Sequence, residues 1–190
     1  MDAEKLLAAL HVAEKLKDTT RHCYTSGGRH ESVAEHSWRL ALTAYWLKDS
    51  FPDADMDKVI RMCLIHDLGE CFTGDIPTFD KTDDDEKREE ELLYNWVASL
   101  PAPFNTEMRA LYAEMAALQT QEAKIYKALD NLEAVVQHNE SDISTWEPLE
   151  YKLNLTYGVD KAAFSPVMQA VREAVRQETL RKMEHERTTD

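Results

Sequence analysis

Apolar residues return every three or four positions along most of this chain, and the residues that would interrupt such a rhythm are few. Among 190 residues there are 5 Gly and 6 Pro. An all-β chain of this length needs more turn residues, so the balance points to an all-α fold. Leu6, Leu7, Leu10, Ala13 and Leu16 form one stripe, which predicts a first helix over residues 3–17. Residues 18–31 have no such period and hold Gly27-Gly28, so they read as a loop whose Arg21, Tyr24, Arg29 and His30 are free to meet a ligand. Ser32-Val-Ala-Glu35 has the form of a capping box and opens a helix from Val33 to Lys48.

Pro52-Asp-Ala-Asp55 starts a third helix with the stripe Met56, Val59, Ile60, Cys63. A loop with Gly74 and Pro77 follows. Thr82 and the acids Asp83 to Glu86 then begin a fourth helix to Ser99, where negative charge suits the positive end of the helix dipole. Further helices are expected over 105–118 and 121–138. Residues 142–158 read as loop with a short turn. Pro166 starts a last helix to Lys182, and the tail 183–190 is expected to fray. The total is about six to seven helices, and 190 residues suit one domain. Hydrophobic residues at 43% and charged residues at 31% are ordinary for a globular chain.

Charge excludes one class of partner. The net charge is −14 and no Lys/Arg stripe is present, which disfavours binding to a nucleic-acid backbone. Cys23, Cys63 and Cys71 are odd in number and form no C-x-x-C pair, which fits a reducing cytoplasm better than a disulfide framework. The N-terminal stretch resembles neither a signal peptide nor a membrane span.

The chemistry gathers at the end of the third helix, in His66-Asp67-Leu68-Gly69-Glu70. The apolar stripe runs on in phase to 66, 67 and 70, so the face that packs the core also presents an imidazole and two carboxylates. Burying them unpaired costs several kcal/mol, and a cation bound between them removes that cost. His66 and Glu70 are four apart and share a face, which sets a carboxylate one turn beyond a ligand. His36 lies on the inward stripe His36, Leu40, Ala44, Leu47. One inward His is usually a hydrogen-bonded core residue. Two on neighbouring helices favour a joint His36/His66/Asp67 site for a borderline divalent ion.

Five ordered elements carry a family resemblance: Glu35-His36, His66-Asp67-x-x-Glu70, Gly74-Asp75-Ile76-Pro77, Glu122-Ala-Lys-x-x-Lys and Asp130. Over residues 16–157 they make the chain similar to the HD-domain metal-dependent phosphohydrolases, in the nucleoside 5′-monophosphatase branch that includes 5′-deoxynucleotidases. The resemblance implies a single HD-domain helical bundle over 1–190 and one divalent metal held by His36, His66, Asp67 and Asp130. It implies that Glu70 positions or deprotonates the attacking water, that Asp75 shapes the substrate pocket and that Arg21 meets phosphate. Tyr24 stands approximately where relatives carry a sugar-contacting aromatic, often Trp. Lys81 is a second candidate phosphate contact, although a surface role suits a lone Lys as well.

Periodicity alone places Asp130 roughly 120° from the apolar stripe Ile125, Leu129, Leu132, Val136, at ~100° per residue, and so on the surface. Relatives with two metals look to have extra His ligands before the last Asp; no His lies between Asp67 and Asp130, and His138 comes too late. One metal is therefore expected, with Co, Mn, Zn, Mg and Fe all open. His11, His22 and His185 are expected at the surface, and His30 is divided between pocket and surface. Trp38, Trp46, Trp96 and Trp146 suit core or interface, and a homodimer is compatible with the apolar helices. Two other readings stand beside the monophosphatase: a nucleotide phosphodiesterase or triphosphohydrolase, and a non-catalytic nucleotide-sensing module.

Overall fold

The structure is a computed structural model that describes residues 2–187. In chain order its elements are α1 (Ala3–Ala13), β1 (Thr20–Tyr24), β2 (His30–Ser32), α2 (Val33–Trp46), α3 (Met56–Ile65), α4 (Glu70–Thr73), α5 (Asp83–Ser99), α6 (Phe104–Ala117), α7 (Gln121–Glu140), α8 (Glu150–Thr156), α9 (Val159–Ala162) and α10 (Pro166–Arg187). Among the described residues the fold is all-α apart from one small hairpin. Seven of the described helices have ten or more residues, in line with the number read from the stripes.

Local chemistry sets the helix starts. Ser32 Oγ accepts from Glu35 N at 3.3 Å, and Glu35 returns a carboxylate oxygen to Ser32 N at 2.9 Å, which completes the capping box before α2. Thr82 and Asp85 repeat the device before α5. Asp55 accepts from Lys58 N at 2.9 Å and caps α3.

The centre of the molecule is α7. It packs against α2, α3, α6, α9, α10 and β1. Its buried residues include Ala123, Ile125, Tyr126, Leu129, Asn131 and Glu133, which point in all directions around the helix. Leu40, Val59, Met62, Ile125, Leu129 and Met168 belong to one connected apolar core around it. Gly158 begins α9 at φ +75°, and a Cβ there would stand 2.8 Å from Asn131 Cβ, so α9 can lie this close to α7 only with glycine.

Four local expectations are corrected. Residues 18–31 are not a plain loop but hold the antiparallel β1–β2 hairpin, closed by Thr25 N to Arg29 O at 2.7 Å with Gly28 at φ +79°. Its strands are short and polar, so they show no period of two, and Gln137 on α7 anchors Tyr24 O at 2.6 Å. The first helix stops at Ala13 and continues as a 3-10 turn over Glu14–Lys17. Residues 142–158 contain α8, held by tertiary contacts such as Arg172 to Asn154 O at 2.7 Å and Tyr157 O at 2.8 Å. The last helix runs on to Arg187, so 183–187 are helical; the rest of the expected tail, 188–190, lies outside the described residues.

Ala13 and Leu16 of the first stripe pack on the core, while Leu6, Leu7 and Leu10 are each about half exposed among the described residues. Trp146 is buried, whereas Trp38 and Trp46 stand exposed on α2 and are not core residues. No described helix is long and apolar enough to cross a membrane.

Candidate metal centre

α3 does not continue through the His66–Glu70 segment. It ends at Ile65, and two tight turns, Leu68 N to Ile65 O and Glu70 N to Asp67 O, lead into α4. The expected single helical face through His66 and Glu70 is thus replaced by a bend, which turns Asp67 and Glu70 toward the same cavity. α2 supplies His36, and α7 supplies Asp130.

The four expected metal ligands come together. His36 Nε2 and His66 Nε2 face each other at 3.1 Å. Asp67 Oδ2 lies 2.9 Å from His66 Nε2 and 3.7 Å from His36 Nε2. Asp130 Oδ1 lies 3.3 Å and 3.7 Å from the same two nitrogens. Asp130 is therefore not the surface residue its helical angle suggested. Helix α7 is enclosed on several sides, so an angle measured from the apolar stripe does not find a wet face.

The tautomers follow from the far side of each ring. His66 Nδ1 lies 2.8 Å from Cys63 O, and a carbonyl can only accept, so Nδ1 carries the hydrogen. His36 Nδ1 donates to the Glu133 carboxylate. Both Nε2 atoms then point inward, at each other and at two carboxylates, where a proton or a metal ion has to stand. This donor set fits a divalent cation: electron-rich atoms converge where only positive charge reconciles them. The buried Glu70 Oε2, which has no hydrogen-bond partner, supports the fit.

Electrostatics agree. Burial pushes His66 down, but Asp67 and Asp130 outweigh it and lift the imidazole to about 10. Burial and Arg21 oppose a charged His36, and Glu133 with Asp130 reverses that, so its net shift is upward. Burial opposes the charge on Asp130, yet Lys127, at 2.7 Å, and the two imidazoles hold it well below the carboxylate range. Burial, reinforced by Asp67 and Asp75, pushes Glu70 up to about 10. Burial also raises Asp75.

His36, Asp67 and Asp130 open into a cavity of about 320 Å³, the size of a small-molecule site. Arg21, Glu70, Asp75 and Lys81 line it. The Arg21 guanidinium is braced by Glu31 at 2.9 Å and Glu133 at 3.2 Å. Lys81 is paired with Glu89 at 2.7 Å. Tyr24 is not among the lining residues; its ring packs on His30 at 4.1 Å between centroids. Arg29 is tied to Glu35 at 2.8 Å, largely exposed, and is likewise absent from the cavity. His22, expected at the surface, lines it instead. The β1 register shift between Thr20 and Tyr24 coincides with this pair, Arg21 and His22, both reaching one cavity from successive positions.

Sequence reasoning missed Glu133, Glu31 and Arg39. Glu133 was within reach, because it follows Asp130 by three positions and so shares its helical face. Glu31 and Arg39 carry no local signal; Glu31 is found through Arg21, which it holds at 2.9 Å, and Arg39 through Glu133, whose Oε1 takes Arg39 Nε at 2.6 Å.

A helical bundle that brings two imidazoles and two carboxylates together at the edge of one cavity defines the class as a helical metal-site domain. The chain belongs to the HD domain family, whose model matches residues 13–172. It is 34% identical over 154 residues to the human 5′-deoxynucleotidase HDDC2, covering 79% of this chain and 72% of that protein. Its structure is similar to that of a predicted metal-dependent phosphohydrolase from Magnetospirillum magnetotacticum MS-1, with a TM-score of 0.76, 29% identity and 94% of each chain covered. The cyanophage S-2L HD phosphohydrolase DatZ, bound to dA and one catalytic Zn2+, shares the fold at a TM-score of 0.58 and 20% identity, over 92% of this chain and 96% of that one.

Proposed function

We propose that this chain is a metal-dependent phosphomonoesterase that hydrolyses deoxynucleoside 5′-monophosphates to nucleoside and phosphate. The observation that carries this reading is the convergence of His36, His66, Asp67 and Asp130, three of which (His36, Asp67 and Asp130) line a cavity that also holds Glu70 and Arg21. Membership of the HD domain family and the similarity to a human 5′-deoxynucleotidase support it.

One divalent metal, held by His36, His66, Asp67 and Asp130, would supply polarisation of a phosphoryl oxygen and a lowered pKa for water. Burial and the neighbouring Asp67 and Asp75 keep Glu70 protonated while no cation offsets them; beside a bound dication it would ionise, orient the attacking water and take its proton on the carboxylate oxygen that now lacks a partner. Arg21, fixed by Glu31 and Glu133, turns its remaining N–H donors toward phosphate and offsets charge on the equatorial oxygens. Lys81 adds a second positive charge on the cavity wall. Asp75 shapes the pocket for the nucleoside. The net charge of −14 makes these local cations necessary for an anionic substrate to approach.

The same reading takes residues 1–190 as one HD domain and places the enzyme in the cytoplasm, where the buried free thiols of Cys23, Cys63 and Cys71 stay reduced. A nucleotide, rather than nucleic acid or membrane, is its partner. A homodimer would cover the exposed Leu6, Leu7 and Leu10 of α1 or Trp38 and Trp46 of α2, which light scattering resolves. The function is tested by phosphate release from each nucleoside 5′-monophosphate in the presence of Co, Mn, Zn, Mg or Fe. Free phosphate plus nucleoside is the expected product. Pyrophosphate or triphosphate release from other nucleotides, without monophosphate turnover, would overturn the reading.

A further inference from the structure

A second group of donors stands in the same cavity, built from residues outside every motif of the family resemblance. β1 brings His22, α7 brings His138 and α8 brings Glu150. One carboxylate oxygen, Glu150 Oε1, lies 2.8 Å from His22 Nε2 and 2.7 Å from His138 Nε2. His138 and Glu150 are buried, and His22 is partly so.

Each donor is held from behind. His138 Nδ1 donates to Ala134 O, one turn back on its own helix, at 2.7 Å. A carbonyl only accepts, so the hydrogen sits on Nδ1 and Nε2 is the inward atom. The device is the one that orients His66 through Cys63 O in the first group. Glu150 Oε2 accepts from Glu147 N at 2.7 Å, which leaves Oε1 for the imidazoles. Phe79 meets the His22 ring edge-on at 5.4 Å, and Trp146 meets His138 in the same way at 6.3 Å, so aromatic walls fix both rings. A positive centre, proton or cation, has to stand among these inward atoms.

We propose that His22, His138 and Glu150 form a second cation site, separate from the His36/His66/Asp67/Asp130 group, that takes a borderline divalent ion such as Zn2+ or Co2+. Two imidazoles and one carboxylate are the donors such ions prefer, whereas Mg2+ and Ca2+ favour oxygen throughout. Three protein donors leave a coordination position open, and all three residues line the cavity, so that position faces its occupant. The absence of a His between Asp67 and Asp130 argued for one metal, with His138 too late in the chain. Folding brings His138 beside His22, 116 positions earlier, as 138 − 22.

The test uses the full chain without a polyhistidine tag, stripped with chelator, in a His66→Ala/Asp67→Ala background that removes the first group. Zn2+ is titrated by calorimetry and Co2+ by visible absorption, with circular dichroism to confirm folding. One ion per chain is expected in that background. Adding His22→Gln or Glu150→Gln should then weaken it by ~10-fold or more. The proposal is overturned if the background binds no ion, or binds one that neither added substitution disturbs. Should the background fail to fold, the wild type is read directly: two Co2+ per chain, one of them lost in His22→Gln, supports the site, and one Co2+ unaffected by His22→Gln overturns it. A wild-type chain whose single ion survives loss of His66 and Asp67 would instead count against the first group, so the two readings fail separately.

Discussion

Glu133 accepts the Nδ1 hydrogen of His36 from 97 positions further along the chain, and the same carboxylate binds Arg21 at 3.2 Å and Arg39 at 2.6 Å. One buried side chain therefore fixes the ring of a candidate metal ligand and the candidate phosphate-binding arginine. Burial opposes its charge, but His36, Arg21 and Arg39 hold it ionised, with the carboxyl brought down to about 2. Glu133→Gln keeps the shape and removes the charge. We expect metal affinity to fall by ~10–100-fold, as for other residues that orient a ligand. Arg21 keeps Glu31 and Arg39 keeps Glu140, so loss of this partner's charge should cost about 1–3 kcal/mol of stability. Metal titration and chemical denaturation check both; an unchanged midpoint with unchanged affinity would remove Glu133 from this role.

His66 and Glu70 are four positions apart and should separate two functions. His66→Ala is expected to lose both bound metal and phosphatase activity. Glu70→Gln is expected to retain metal and lose activity by ~10²–10⁴-fold, the span of general acid–base contributions. Metal content by mass spectrometry and phosphate release measured on the same preparations decide. Near wild-type turnover in Glu70→Gln would exclude the carboxylate from proton transfer.

The cysteines give a pH prediction. Burial pushes the Cys71 thiol up to about 11. Burial also pushes Cys23 up to about 12, with Glu31 and Glu133 adding to it against Arg21. A raised thiol pKa means less thiolate, so reactivity is low below the raised value and grows as pH rises toward it. At pH 8 an ordinary thiol near ~8.5 is roughly a quarter thiolate, and one near 11 is about a thousandth. Native protein at pH 8 should label slowly with a thiol reagent, at a rate rising about tenfold per pH unit. All three cysteines should label at once in denaturant. A native thiol that reacts at the ordinary rate at pH 8 would contradict the burial of these side chains.

How much the residues announced in advance differs from element to element. Helices with one dry and one wet face were legible, and so were their starts: the Ser32/Glu35 box and the Thr82 and Asp55 caps are local chemistry read within four residues. His36 and His66 were legible because each interrupts an apolar stripe with a group that burial penalises. The hairpin was not, since β1 and β2 carry no alternating pattern and depend on partners such as Gln137. Tyr24 was placed by analogy of position, and the hairpin turns its ring to His30 instead of the cavity.

By itself the sequence determined that this chain is helical, where most helices begin, and that an imidazole and carboxylates must be buried together near its third helix. Those are properties of neighbours along the chain, set by periodicity, capping and the cost of dehydrating charge. Only the tertiary structure decided that Asp130 faces inward, that Glu133 steadies His36 and that His22 meets His138 and Glu150. Each of these contacts joins residues from different helices and strands. A helix enclosed on several sides, as α7 is, hides its functional face from any count of apolar positions, because its neighbours, and not water, define which side is in.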